Sequence, residues 1–226
     1  MTSALLLCAG RGERLRPLTD TLPKPLVEVR GETLVGRQLR ALAAAGVTRV
    51  VINLGWLGER IVDHVGDGAR YGLRALYSPE GFPTLDTGGA IVRALPLLDD
   101  APFWVVNADI FTDFDFASGA AARLDGTEAA IGLTPNPEYR EGGDFSQVDK
   151  RAHNTGDAMQ TFSGIACYSP AFFSNCEDGR FSVVPLLRAA ADAGELGAFD
   201  AGSHWYDVGT PERLATLRAI VASSSL

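Results

Sequence analysis

Short uninterrupted apolar runs alternate along the chain with stretches in which apolar residues recur every three or four positions. The runs at residues 4–8, 49–53, 74–77, 103–107 and 129–133 have the length and continuity of strands buried on both faces. Between them, residues 33–45 place Leu34, Leu39 and Leu42 on one helical face and stop at Gly46, while residues 58–65 and 88–98 form shorter helices. Strand and helix in alternation predict an α/β fold: a Rossmann-like mixed, mostly parallel sheet flanked by helices. Ligands of such a sheet gather beyond the carboxyl ends of its strands, so chemistry is expected just after each run.

Beyond residue 133 the pattern is less regular. Pro135, Pro137, Gly142 and Gly143 interrupt it, after which residues 162–168 and 205–208 read as strands and residues 183–193 and 211–221 as helices. Pro211 suits a first helical turn, where its missing amide hydrogen has no partner to lose, and Thr210 is placed to cap it. No internal repeat, low-complexity tract or flexible linker divides the chain. One domain over residues 1–226 is expected, with a core of about 1–133 and a lobe of about 134–226 built onto it.

A length of 226 residues, 46% hydrophobic and 21% charged, supports a sizeable core. The formal net charge of −8 and the lack of any lysine or arginine run leave a sequence-independent grip on nucleic acid without electrostatic support. Cys8, Cys167 and Cys176 are odd in number, far apart and without Cys-x-x-Cys spacing, so they read as reduced residues and not as a disulfide framework or zinc site. The apolar run at 4–9 is short, has no basic residue before it and is followed by Arg11, Arg14 and Arg16, unlike a signal peptide. No stretch has the length of a bilayer span. The expectation is a cytoplasmic, soluble, monomeric protein whose partners are small molecules, with no nucleic acid and no membrane.

The first run leads into Cys8-Ala9-Gly10-Arg11-Gly12-Glu13-Arg14, where glycines let the backbone bend and bring amides against a phosphate. Leu15 stands where a dinucleotide fingerprint needs its third glycine, and the Gly-Lys-Ser/Thr of a Walker loop is absent. Pro17-Leu18-Thr19 follows, and then Pro23-Lys24-Pro25-Leu26, in which two prolines restrict where the lysine points. Arg14 as a forked donor and Lys24 as a compact charge suit a triphosphate under attack. Either alone reads as a surface cation; their joint spacing favours phosphate. Asp109 follows the fourth run in Val106-Asn107-Ala108-Asp109, and Asp207 ends a strand in Trp205-Tyr206-Asp207-Val208-Gly209-Thr210. Each alone is an ordinary turn residue. Together they suffice for magnesium, which takes one or two carboxylates and completes its shell with water and phosphate oxygens.

Gly-x-Gly-x-Arg at 10–14, Pro-Leu-Thr at 17–19 and Pro-Lys-Pro-Leu at 23–26, in that order, resemble the amino-terminal signature of the sugar-phosphate nucleotidyltransferases. The resemblance extends over nearly the whole chain. Its further pieces are Ile52-Asn53 with Trp56-Leu57-Gly58, Gly66-Asp67-Gly68, Tyr77-Ser78-Pro79-Glu80-Gly81, Thr87-Gly88-Gly89, Gly143-Asp144-Phe145, Thr161-Phe162-Ser163-Gly164-Ile165 and residues 204–210. Within the family it is nearest to the uridylyltransferases of cell-wall recycling. The resemblance implies a GT-A-like fold without the carboxyl-terminal left-handed β-helix of larger relatives, UTP and a sugar 1-phosphate as substrates, and Mg2+ as cofactor. It implies catalytic roles for Arg14, Lys24 and Asp109, and metal ligation by Asp109 and Asp207. Gly10, Arg11, Gly12 and Glu13 join Arg14 and Lys24 around the nucleotide, with Glu80 and Gly88 reading the base and Asn107 near the nucleoside. Asp144, Ser163 and Gly164 fall to the sugar phosphate, so the core becomes the nucleotide-binding part and the lobe the sugar-phosphate part. Residues 146–158 match nothing in the family, and His153 and Asn154 receive no role.

Two competing readings share parts of this pattern. A guanylyltransferase acting on a mannose or heptose 1-phosphate has the same phosphate loop and a similar Thr-Gly-Gly turn. A non-catalytic nucleotide-sugar sensor keeps the fold but has no need of the Asp109 and Asp207 pair. Trp56, Trp104 and Trp205 read as packing residues beside predicted elements. His64 and His204 read as surface or cap residues, and the absence of Gly-x-Ser-x-Gly speaks against a serine hydrolase.

Overall fold

A computed structural model of the chain describes residues 2–81 and 83–223. The strands are β1 (Thr2–Leu7), β2 (Glu28–Val29), β3 (Glu32–Thr33), β4 (Val47–Leu54), β5 (Arg74–Pro79), β6 (Phe103–Asn107) and β7 (Ile110–Thr112) in the first half. They continue as β8 (Ala129–Thr134), β9 (Ser146–Val148), β10 (Arg151–His153), β11 (Thr161–Tyr168), β12 (Leu196–Asp200) and β13 (Trp205–Asp207). The helices are α1 (Leu34–Ala44), α2 (Gly58–Val65), α3 (Asp86–Ala94), α4 (Ala120–Leu124), α5 (Val184–Asp192) and α6 (Pro211–Ser223).

Nine strands form one sheet in the order β5-β4-β1-β6-β11-β8-β12-β10-β9. β5, β4, β1 and β6 are parallel, β11 runs antiparallel to both β6 and β8, and β12 is again parallel to β8. The expected mixed sheet with flanking helices is therefore the one observed. Its continuous apolar strands are explained by burial on both faces. Leu6, Ile52 and Val106 lie side by side in register and face α1 through Leu39 and Leu42, while their neighbours Leu5, Val51 and Val105 face Ile91 and Ala94 of α3.

A third apolar cluster ties the end of the chain to its beginning. Leu214, Leu217 and Val221 of α6 pack with Leu15, Val27, Leu34, Phe111 and Val208. Thr210 caps α6 as expected, its hydroxyl accepting the Arg213 amide at 3.3 Å, and Thr33 caps α1 by accepting the Gly36 amide at 3.1 Å.

Several elements differ from the sequence-based expectation. The helix expected over 88–98 begins at Asp86 and yields to a 3-10 turn over Leu95–Leu97, because Pro96 has no amide to continue the α-helical bonding. The expected strand at 205–208 ends at Asp207. β7, β9, β10 and β12 were not expected. Three of them have only three residues each, and pairing partners distant in sequence define them more than any run of their own does. Among the described residues no helix is long and apolar enough to cross a membrane.

Candidate active site

Beyond the carboxyl ends of β1, β4 and β6 lies a cleft of about 310 Å³. The loop after β1 contributes Cys8, Gly10 and Gly12 to its wall, and Lys24 and Pro25 close one side. Gly12 holds the turn with φ +66°, and a Cβ there would press on Thr19 at 3.1 Å and on Lys24 at 3.3 Å. Its carbonyl accepts the Thr19 hydroxyl at 2.8 Å. Lys24 and Pro25 sit in the 3-10 turn Lys24–Leu26, which aims a nearly buried lysine stem at the cleft.

The Lys24 ammonium meets the Asp109 carboxylate at 2.6 Å. Asp109 stands just past β6, where the Ala108 amide donates to the Leu7 carbonyl at 3.2 Å. β7 continues from there and pairs antiparallel with β13, so that Asp207 stands opposite Ile110 and the Val208 amide donates to the Asp109 carbonyl at 2.9 Å. The ribbon is pinned from outside: buried Gln38 of α1 donates to the Ile110 carbonyl at 3.0 Å, and the Trp205 indole donates to the Ser163 carbonyl at 2.8 Å. Asp109 and Asp207, 98 positions apart in sequence, are thus brought to one end of a two-stranded ribbon, Asp109 just before β7 and Asp207 as the last residue of β13.

Asp207 has its own cation. Arg213 of α6 donates to its Oδ1 at 2.5 Å, the Tyr139 hydroxyl donates to the same oxygen at 3.2 Å, and the Arg213 guanidinium lies 3.6 Å from the Tyr139 ring centroid. Arg14 comes to the same corner. A Cβ added at Gly209 would stand 2.8 Å from the Arg213 guanidinium, 3.2 Å from the Asp207 carboxylate and 3.4 Å from the Arg14 guanidinium, so the three charged groups gather around this residue. Burial, with the Asp207 carboxylate adding to it, pushes the Tyr139 phenol up to about 12. Burial, helped by Asp109, also pushes the Cys8 thiol up, so this cleft-lining sulfur stays protonated and is no nucleophile.

The opposite wall is built from β4, β5 and the start of α3. Asn53 accepts the Cys8 amide at 2.5 Å and donates to Glu80 at 2.6 Å, and the second Glu80 oxygen accepts the Leu85 amide at 2.9 Å. Both Glu80 oxygens are therefore engaged in holding the loop. The Gly88 amide donates to the Phe181 carbonyl at 2.9 Å, and any side chain at Gly88 would strike the Phe181 ring. The same contact carries Arg180 into the cleft beside Thr84, Asp86 and Thr87.

The remaining expected residues lie around this centre. Asn107 lines the cleft at the end of β6, and Gly164, at φ +77°, makes room for it, since a Cβ there would lie 2.5 Å from the Asn107 side chain. Ser163 has no exposed surface and its hydroxyl donates to the Gly132 carbonyl at 2.8 Å, so it supports β11 from within. Asp144 accepts from Arg140 at 2.5 Å and from the Phe162 amide at 2.8 Å. Arg11 is turned onto the Trp56 ring, 4.3 Å from its centroid, and Glu13 is an exposed residue at the start of the 3-10 turn Glu13–Leu15, which buries Leu15. Trp104 is wholly buried in an aromatic cluster with Phe114, Phe116 and Phe199. His64 binds the cap residue Thr33 at 3.1 Å, and His204 pairs with Asp113 at 2.8 Å.

Sequence reasoning missed Asn53 as the tie between the two walls, and it missed Arg180, Arg213 and Tyr139. The first lies inside a quoted motif, and Arg213 sits three residues past the Asp-Val-Gly-Thr segment, so both carried a faint signal. Arg180 and Tyr139 lie in irregular segments with none.

Among the described residues no three histidine, cysteine or acidic side chains converge as a metal cage. Asp109, just before β7, and Asp207, at the end of β13, are hard-oxygen donors of the type magnesium accepts, one or two protein carboxylates sufficing when water and phosphate complete its shell.

The comparisons with known proteins agree with this geometry. The family described as "Nucleotidyl transferase" matches residues 3–143. The N-acetylmuramate alpha-1-phosphate uridylyltransferase of Neisseria meningitidis serogroup B is 41% identical over 97% of this chain and 98% of its own length. The mannose-1-phosphate guanyltransferase of Schizosaccharomyces pombe is 32% identical over 98% of this chain and 64% of its own. In fold, the chain resembles the inositol-1-phosphate CTP transferase from T. maritima, with a TM-score of 0.77 at 19% identity over 100% of this chain and 98% of that one. A glycine loop, a lysine paired to an aspartate across the cleft, the family match and near full-length likeness to the Neisseria enzyme converge on one conclusion: this chain belongs to the nucleotidyl transferase family.

Proposed function

We propose that the chain transfers UMP from UTP to N-acetylmuramate 1-phosphate, releasing pyrophosphate and forming UDP-N-acetylmuramate for cell-wall recycling. The observation that carries the reading is the 2.6 Å pairing of Lys24 with Asp109 at the mouth of the glycine-loop cleft. It sets a positive charge and a carboxylate where a triphosphate would enter. The choice of uridylyl and of the sugar rests on the 41% identity to the Neisseria enzyme.

In this reading an oxygen of the sugar phosphate attacks the α-phosphorus in line and pyrophosphate leaves from the opposite side. The attacking phosphate is already ionised, so no general base is required and the chain's task is positioning and charge neutralisation. Lys24 lies beside the α-phosphate, Arg14 receives the leaving pyrophosphate, and Gly10, Arg11, Gly12 and Glu13 form the loop around them. Asp109 and Asp207 would hold the magnesium ion, which supplies Lewis-acid neutralisation of the phosphate oxygens when bound. Glu80 and Gly88 shape the base pocket; for Glu80 to read the base directly it would exchange one of its two present bonds for a base N–H. Asn107 faces the nucleoside. Asp144, Ser163 and Gly164 support the sugar-phosphate side, which belongs to residues 134–226, while residues 1–133 form the nucleotide-binding core. The reading carries with it a cytoplasmic location and a monomeric enzyme.

A guanylyl reading on another sugar 1-phosphate is favoured by one observation, the 32% identity to the S. pombe guanyltransferase over nearly the whole of this chain. Pyrophosphate release separates the two. The purified protein with magnesium, each of UTP, GTP, CTP and ATP, and a panel of sugar 1-phosphates is expected to release pyrophosphate with UTP and N-acetylmuramate 1-phosphate. Release with GTP and mannose 1-phosphate would keep the chemistry and overturn the substrate. Silence across the panel would leave a nucleotide-sugar sensor.

A further inference from the structure

Both carboxylates at this end of the β7–β13 ribbon are already neutralised from within the chain. Asp109 is held by Lys24 at 2.6 Å and Asp207 by Arg213 at 2.5 Å, with Tyr139 closing over the second pair. The side chains are a quarter or less exposed except that of Asp109, so the pairs are only partly screened by water. Two carboxylates and two cations sum to zero, and Arg14 beside Gly209 adds one more positive charge. A bare divalent ion approaching these side chains therefore meets no net negative charge from the two pairs, and it must compete with an ammonium and a guanidinium that each already hold one oxygen of a carboxylate it needs.

A bound triphosphate changes the balance. Its several negative charges offer Lys24, Arg14 and Arg213 new partners, and the carboxylates they release become free for the metal. We infer that Arg213 is a positioning residue that stands in for the metal on Asp207 in the free protein and gives up its place only when nucleotide arrives, so that the divalent ion and the nucleotide enter as one unit. The inference rests on the proposed pairing of Asp109 and Asp207 as metal ligands. It adds what that pairing alone does not contain: a residue on α6 that competes with metal for Asp207 until nucleotide binds.

Equilibrium dialysis of Mn2+ tests it without any turnover. Protein is dialysed against Mn2+ alone and against Mn2+ with UTP or, separately, GTP, in the absence of sugar phosphate, and the excess metal on the protein side is counted. The wild type is expected to retain little Mn2+ alone and about one ion per bound nucleotide with it. Arg213→Met is expected to raise the affinity of the nucleotide-free protein for Mn2+ by about tenfold, in keeping with the loss of one partly screened ion pair. A merely structural Arg213 would move the result the other way, because Asp207 would be misplaced and metal binding would weaken. Tyr139→Phe, which removes one hydroxyl and keeps the ring, is expected to shift the affinity in the same direction by a smaller factor and guards against a misfolded arginine variant. Tight Mn2+ binding by the nucleotide-free wild type, or no gain in either variant, would overturn the stand-in role while leaving the carboxylate pair intact. Failure to retain Mn2+ even with bound nucleotide would overturn the carboxylate pair itself and the inference with it.

Discussion

Asn53 donates its side-chain amide to Glu80 at 2.6 Å while its carbonyl oxygen accepts the Cys8 amide at 2.5 Å, so one buried residue at the end of β4 joins the glycine loop to the opposite wall of the cleft. The bond to Cys8 is the more consequential of the two, because that amide is buried. Asn53→Ala is expected to lower unfolding free energy by about 1–3 kcal/mol, the cost of a buried donor left without a partner. Urea denaturation measures this, and a midpoint equal to the wild type would show that water replaces the side chain.

Asp109→Asn keeps the shape of the residue and a hydrogen bond to Lys24 but removes its charge. Turnover is expected to fall roughly 10²–10³-fold, the scale of losing one preorganised electrostatic contact. Nucleotide affinity should fall by a much smaller factor, since the glycine loop and Lys24 remain. Steady-state kinetics with separate nucleotide binding by calorimetry decide it; near-normal turnover would remove Asp109 from the chemistry.

Arg180 is carried into the cleft by the bonds between Phe181 and α3, and it lies far from the Lys24 and Asp109 pair in sequence. A charge-assisted contact to nucleotide in this position belongs to binding more than to the chemical step. Arg180→Ala is expected to raise the KM for nucleotide roughly tenfold with kcat within about twofold of wild type. An unchanged KM would mean that the guanidinium faces only solvent.

The fold disfavours the protonated form of His64. Burial first, and then the Arg70 charge, lower its pKa from the ordinary 6.5, and Thr33, which caps α1, contacts its Nε2. The unfolded chain thus binds the proton more readily than the folded one. The stability tied to this site is complete above pH 6.5 and is withdrawn as the pH falls through the window below it. Urea midpoints at about pH 8 and about pH 5.5 are expected to differ more for the wild type than for His64→Gln. Equal slopes would show that carboxylates alone govern the acid side.

The fold's first half was legible because parallel strands buried on both faces must be apolar without interruption. Residues 4–8, 49–53, 74–77 and 103–107 showed that pattern, and each lies within or largely overlaps a strand of the sheet. β12 was not legible: Leu196-Gly197-Ala198-Phe199-Asp200 has only two large apolar side chains and becomes a strand by lying parallel to β8. β7 is shorter still, and its pairing with β13 across more than ninety positions decides it.

By itself the sequence determined the α/β alternation, the glycine loop and the charged residues that follow the strands, since these depend on neighbours within a few positions. Only the tertiary structure decided which of those residues meet. That Lys24 closes on Asp109, that Asp207 comes to the same end of a ribbon with Arg213 on its oxygen, and that Glu80 is occupied by Asn53 follow from pairing and packing between distant segments. The physical reason is that local patterns record burial and backbone preference, whereas a site is made of side chains whose distances are set by sheet register and by the apolar contacts of α6, which no short window of sequence contains.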